Sequence, residues 1–244
     1  MTFVQSVCSA VLLTLACACC QAQGIQVVTE DTSYSYLENG RVAGPASAVV
    51  EATLQRAGLS DYSLALYPWA RAYDMALQQP DVLIYLIART TEREPLFKWV
   101  GEITRIDYHL YKLRARQDIQ VRTLTDARQY SIGVLRDDVR QKYLRNQGFS
   151  KLVVSATNRD NFQKLLNQQI ELVAMPERDV AMLCEDVRVD CASLEPAYTL
   201  DAISMGLYMA YSLATADETV NRTRAAFDSL KAEGRVSLLL SGQR

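Results

Sequence analysis

The sequence is poor in the residues that catalysis and metal binding most often use. Among its 244 residues there is one histidine, His109, with no constellation of Cys, Asp or Glu nearby at metal-ligand spacing. His109 therefore reads as a structural residue. Cysteine is scarce once the N-terminus is set aside: four of the six, Cys8, Cys17, Cys19 and Cys20, lie in the first 20 residues. Only Cys184 and Cys191 follow, and their spacing is not that of a CxxC metal knuckle. No long run of Lys or Arg occurs, and a formal net charge of −2 argues against a nucleic-acid partner, which needs a basic face. Beyond the N-terminus no segment is long and apolar enough to span a bilayer. What remains is 49% hydrophobic and 22% charged, the balance of a globular chain with a sizeable core.

Residues Met1–Gly24, MTFVQSVCSAVLLTLACACCQAQG, carry an apolar stretch, Val7–Ala18, of signal-peptide length. It is too short to cross a membrane. Small residues at Cys20-Gln21-Ala22 suit cleavage near Ala22, although no Lys or Arg precedes the apolar stretch. Export across the membrane is the expectation. Simple secretion is preferred to lipidation because no cysteine there has leucine at the expected third position before it. In an oxidising compartment an even, closely spaced pair is expected to bond, so Cys184 and Cys191 should form a disulfide.

The stretch Tyr67–Glu102, YPWARAYDMALQQPDVLIYLIARTTEREPLFKWVGE, organises the rest. Pro68 suits the first turn of a helix that Pro80 closes. Val82–Ala88 is an unbroken apolar run of strand length, as expected of a strand covered on both faces. Behind it comes a loop with Arg89, Thr90, Thr91, Glu92 and Arg93. A cationic, hydroxyl-bearing loop at the carboxyl end of a strand is where open α/β sheets bind ligands. An arginine there presents a planar fork suited to a carboxylate or phosphate.

Strand and helix patterns alternate along the whole chain. Strands are predicted over 25–29, 62–67, 82–88, 107–113, 130–134, 151–154, 170–175, 194–198 and 205–210, and helices over 46–57, 68–79, 136–146 and 158–167. Pro176 starts another helix. A final helix follows Thr215-Ala216-Asp217-Glu218, which reads as a capping box, and Gly234 ends it.

Several segments carry a resemblance. Thr91-Glu92-Arg93 followed by Phe97 and Trp99 is similar to the T-x-E-R…F-x-F/W segment of bacterial periplasmic solute-binding proteins of family 3, the polar-amino-acid branch. Tyr34-Ser35-Tyr36 with Asn39-Gly40 and Gly44 resembles their aromatic ligand loop, with Ser33 where proline is usual. Thr123–Asp126, Met205–Ser212 and the closing helix resemble later segments, so the likeness runs over about 25–244. It implies an α/β, two-lobed periplasmic-binding fold of type II, each lobe a mixed sheet flanked by helices, joined by a two-strand hinge. Lobe one would be 25–111 plus 211–244, and lobe two 112–210.

The resemblance also implies a site. Arg93 would grip the carboxylate of a small polar, amino-acid-like solute, with donors from Thr91 or Arg89. Trp69 and Tyr34 or Tyr36 would give apolar walls, although Trp69 could equally anchor the core. The turn that cradles the ligand carboxylate in relatives is rich in Gly and Thr; here it reads Leu135-Arg136-Asp137-Asp138. Asp138 would be both a cap and an occupant of that anion site. Where relatives place an aspartate for the ligand's ammonium, this chain has Ala174-Met175-Pro176, with Glu177 the nearest carboxylate. The implied function is delivery of a solute to the membrane permease of an ABC transporter by a monomer without a cofactor. The alternatives are a ligand-sensing module for a membrane receptor, or a dehydratase-like enzyme using Glu177 or Glu30, for which no nucleophile–base pair is visible.

Overall fold

The computed structural model describes residues 24–242; the expected signal segment lies outside them. The first half opens with β1 (Ile25–Thr29), the short hairpin β2 (Tyr36–Glu38) and β3 (Arg41–Ala43), then α1 (Pro45–Arg56), β4 (Tyr62–Leu66), α2 (Trp69–Gln78), β5 (Val82–Ala88) and β6 (Phe97–Ile106). The chain then enters a second sheet with β7 (His109–Leu113), β8 (Ile132–Leu135), α3 (Val139–Asn146), β9 (Leu152–Ser155), α4 (Asn158–Leu166), β10 (Leu172–Met175), α5 (Glu177–Val187) and β11 (Leu194–Thr199). It returns through β12 (Met205–Ser212) and ends in α6 (Asp217–Ala232) and α7 (Arg235–Leu240).

Two five-stranded mixed sheets result, ordered β4-β1-β5-β12-β6 and β11-β7-β10-β8-β9. In the first, β1 runs parallel to β4 and β5, while β12 is antiparallel to both β5 and β6. Every residue of β5 is buried, as its unbroken apolar run requires. The chain passes between the sheets twice, at residues 107–108 and 200–204. Both passages come earlier than the 111/112 and 210/211 boundaries read from the pattern. The alternation of Asp107–Leu113 marks a strand, but it does not say which sheet the strand joins; His109–Tyr111 pair with β10 and β11.

The loop after β1 is fixed from beneath by three hydroxyls. Ser35 Oγ lies 2.7 Å from Tyr85 Oη, Ser47 Oγ 2.9 Å from it, and the two serines are 2.9 Å apart. Gly44, at φ 111°, has no room for a side chain: a Cβ there would come within 2.6 Å of the Tyr34 carbonyl oxygen. This ties Tyr34 to the start of α1.

Helix ends depart from the pattern in two places. The capping box expected at Thr215 does not form: α6 begins at Asp217 after Ala216, with no side-chain cap, and Thr215 Oγ1 lies 2.9 Å from Ser212 Oγ instead. Thr215 sits one residue too early to reach the first turn. Gly234 does end α6, in the left-handed region, but it also starts α7, which periodicity alone did not announce. Cys184 and Cys191 are bonded and tie the end of α5 to the turn before β11. Closing so short a loop restricts the unfolded chain by roughly 2–3 kcal/mol. Reduction should therefore lower the urea midpoint measurably while leaving far-UV circular dichroism in native buffer unchanged; an unaltered midpoint would show that the clip adds nothing.

Candidate functional site

The two sheets face each other across a cavity lined by the residues that follow the carboxyl ends of their strands. Glu30, Thr32 and Tyr34 come after β1, Arg93 after β5, Asp138 and Arg140 after β8, and Pro176 and Asp179 after β10. Trp69, at the start of α2, Tyr108, in the passage between sheets, and Asn158, at the start of α4, also line it, with Leu86 and Leu207 among the apolar contacts. Only about 30 Å³ is left open between them, room for a water molecule or two.

Arg93 is 2% exposed. Its Nη1 donates to the Ala88 carbonyl at 3.2 Å and its Nη2 to the Asp137 carbonyl, on the other sheet's side, at 3.4 Å. The guanidinium lies against the rings of Trp69 and Tyr73, 5.3 and 4.9 Å from their centroids. Among the described residues no carboxylate lies within ion-pair distance of it. A buried cation satisfied only by neutral oxygens and π-faces leaves its field free for an anion. Trp69 Nε1 also donates to the Asp137 carbonyl, at 3.2 Å. Asp137 can present that oxygen because it sits at φ 58°, and Leu86, at the bulge of β5 against the cavity, sits at φ 60°. Non-glycine residues held there cost about 1–3 kcal/mol each, and such residues gather at functional sites.

The opposite wall is acidic. Asp138 caps α3 by accepting from Arg140 N–H at 2.9 Å, and it also accepts from Arg140 Nε. Arg140 Nη1 donates to the Ala174 carbonyl at 2.9 Å and to Asn158 Oδ1 at 3.2 Å, and its guanidinium lies 5.0 Å from the centre of the Tyr108 ring. Burial works against its charge, but the Asp138 carboxylate beside it raises its pKa further. Asp179 accepts from the Ser33 N–H at 3.0 Å, bridging the halves. Burial raises Asp179, the Ser33 bond opposing it. The half-buried Glu30 side chain lines the cavity and has no hydrogen-bond partner among the described residues. Burial pushes its carboxyl up to about 8, against the pull of Arg140 and with the repulsion of Asp138, Asp179 and Asp31 added.

Four of the sequence-predicted residues meet here: Arg93, Trp69, Tyr34 and Asp138. The other four lie elsewhere. Arg89 is exposed and forms a two-pronged pair with Glu94 at 2.7 and 2.5 Å, stacked near Trp99 and Tyr208. Thr91 is exposed at the tip of the same loop, Tyr36 turns outward from β2, and Glu177 faces solvent at the start of α5. Arg140, Asp179, Tyr108 and Asn158 were not anticipated, and Glu30 only as an enzyme's carboxylate. The carboxyl-end rule, applied to β1, β8 and β10 as it was to β5, finds Glu30, Arg140 and Asp179.

No family model and no curated protein matches this sequence. Solved structures do. A histidine kinase sensor domain with similarity to periplasmic binding proteins superposes with a TM-score of 0.79 at 16% identity, over 90% of this chain and 95% of that one. A mutant of ArgBP from T. maritima gives 0.76 at 14% identity, over 90% and 94%. AbpA from Streptococcus pneumoniae, an amino acid ABC transporter substrate-binding protein bound to L-arginine, gives 0.76 at 14% identity, over 90% and 93%. At such identities the likeness speaks for architecture, and it spans nearly all of each chain: this protein has the two-lobed α/β fold of periplasmic binding proteins.

Proposed function

We propose that this protein is a periplasmic solute-binding protein. Its lobes, hinged at residues 107–108 and 200–204, close on a small polar solute that bears a carboxylate or similar anion. It would deliver that solute, as a monomer, to an ABC permease; the structural neighbour AbpA belongs to such a system. The observation that carries the reading is Arg93: a buried guanidinium on the cavity wall, held between aromatic rings and carbonyls, with no carboxylate within ion-pair distance among the described residues. Closure removes water from such a charge and strengthens its attraction for an anionic guest. We read the cavity as a binding site on the strength of that unpaired charge.

A screen of small carboxylates and amino acids by thermal shift, followed by calorimetry, tests this. A true solute at 100 times its Kd should add about 2.7 kcal/mol of stability. Arg93→Ala should weaken binding by roughly a hundredfold, the loss of one buried charge-assisted contact. If no solute stabilises the protein, or Arg93→Ala binds as well as wild type, capture at Arg93 is wrong. The likeness to a histidine kinase sensor domain supports sensing as a second reading. A deletion strain decides between them: lost uptake of the solute favours delivery, and intact uptake with an altered transcriptional response favours sensing.

A further inference from the structure

The cavity between the lobes is small because a side chain of the protein fills much of the space around it. Arg140 is 2% exposed and lies among groups that would serve a cationic guest equally well. Two neutral oxygens accept from its Nη1, one carboxylate accepts from its Nε, and an aromatic face lies beneath its plane. A pair built only for stability would more commonly engage both prongs of the guanidinium with one carboxylate. Here only Nε meets Asp138, and Nη2 has no hydrogen-bond partner among the described residues. Two more carboxylates, Glu30 and Asp179, line the same cavity, and neither has a cation within ion-pair distance among the described residues. The surroundings thus hold more acceptors than one arginine uses.

We propose that Arg140 is a built-in guest: its guanidinium occupies a cation-binding half of the cleft and thereby restricts the wild-type protein to small solutes without a cationic side chain. The inference rests on the reading of the cleft as a solute site and assigns the specificity of that site. With Arg140 in place, the lining has two arginines against three carboxylates. Burial keeps Glu30 largely protonated at neutral pH, so the charges come close to balance. What remains for a guest is the Arg93 end. A solute with a long cationic arm would have to displace Arg140 from Asp138, Asn158 and the Ala174 carbonyl, and the open space is far too small to hold both. Removing the Arg140 side chain should leave an acidic hole of guanidinium shape that water fills until a cationic guest displaces it.

Arg140→Ala provides the test, with ethylguanidinium chloride as the probe and equal sodium chloride and urea as controls. Calorimetry and thermal shift should show the variant binding ethylguanidinium at least roughly tenfold more tightly than wild type, about 1.4 kcal/mol. Arg140→Lys, which keeps a cation in place, should behave as wild type. If Arg140→Ala is folded and responds to the probe no more than wild type does, the inference is overturned. Should Arg140→Ala fail to fold alone, recovery of its near-UV circular dichroism by millimolar ethylguanidinium supports the inference, and no recovery overturns it. A wild type that binds a small carboxylate while Arg140→Ala ignores ethylguanidinium would remove only this inference. A wild type that binds no small solute while the variant takes the probe would remove the capture reading and with it the specificity assigned here, leaving only a guanidinium-shaped pocket.

Discussion

Glu30→Gln is expected to flatten the pH dependence of stability between about pH 5 and pH 8. The native carboxyl of Glu30 titrates near 8, while in the unfolded chain it titrates near the ordinary 4.5. Below pH 4.5 both states hold the proton and the contribution is fully present. Between the two values the unfolded chain has released its proton and the folded one has kept it. Stability therefore falls as pH rises, and the loss is complete above about 8. At roughly 1.4 kcal/mol for each tenfold change in proton affinity, the interval amounts to on the order of 5 kcal/mol. The groups that set it come from both lobes: Arg140 favours the ionised form, while burial, Asp138, Asp179 and Asp31 oppose it. Gln is isosteric with the protonated carboxyl and has no proton to lose, so the difference between wild type and Glu30→Gln isolates this one group. Urea denaturation at pH 5.0, 6.5 and 8.5 gives the answer. Parallel stability profiles for the two proteins would mean that Glu30 is ionised and solvated in the folded state. The same titration bears on binding: above pH 8 an ionised Glu30 should repel an anionic solute held at Arg93, so wild-type affinity should fall there and that of Glu30→Gln should not.

Much of the architecture was legible because it is written in local patterns. Val82–Ala88 announces a doubly covered strand by being apolar without interruption, and it occupies the middle of its sheet. Arg93 is found by two signals together: its place in the loop past the carboxyl end of that strand, and the resemblance carried by Thr91-Glu92-Arg93. Its neighbours Arg89 and Thr91 show the limit of the rule. The turn Glu94–Leu96 brings Glu94 back beside Arg89, so that charge is spent on the surface, while Arg93 turns inward. Periodicity cannot see this, because it depends on one turn of backbone and not on residue type. The acidic wall was hidden for a different reason. Glu30, Asp138 and Asp179 stand over a hundred positions apart at the extremes and meet only because β1, β8 and β10 end at one cleft. Arg140 carries no signal of its own in the sequence. Its burial comes from Asp138 two residues earlier, a spacing that faces apart within a helix and meets only across a cap.

Asp138→Ala should be among the most damaging single substitutions in the second lobe, at roughly 3–5 kcal/mol. Two losses combine. The cap of α3 goes, which alone costs about 1 kcal/mol, and Arg140 is left buried without the carboxylate that compensates it. Asp138→Asn separates the two: asparagine caps a helix nearly as well and can still accept from Arg140 Nε, so its cost measures the charge. The double variant Asp138→Ala with Arg140→Met removes both ions and fills the space with an unbranched apolar chain. It should be less damaged than the sum of the single variants, with a coupling of about 1–3 kcal/mol. Additive losses in urea denaturation would mean that the two side chains do not act as a pair. The substitution also has a consequence for binding. In wild type the Asp138 carboxylate occupies the exposed N–H groups at the start of α3, the place where a helix attracts anions. Asp138→Asn removes that negative charge while Arg93 and Arg140 stay. A carboxylate-bearing solute should then bind more tightly than it does to wild type, even though the protein is less stable. Weaker binding to Asp138→Asn would place the solute's anion away from α3 and its cation, if it has one, against Asp138.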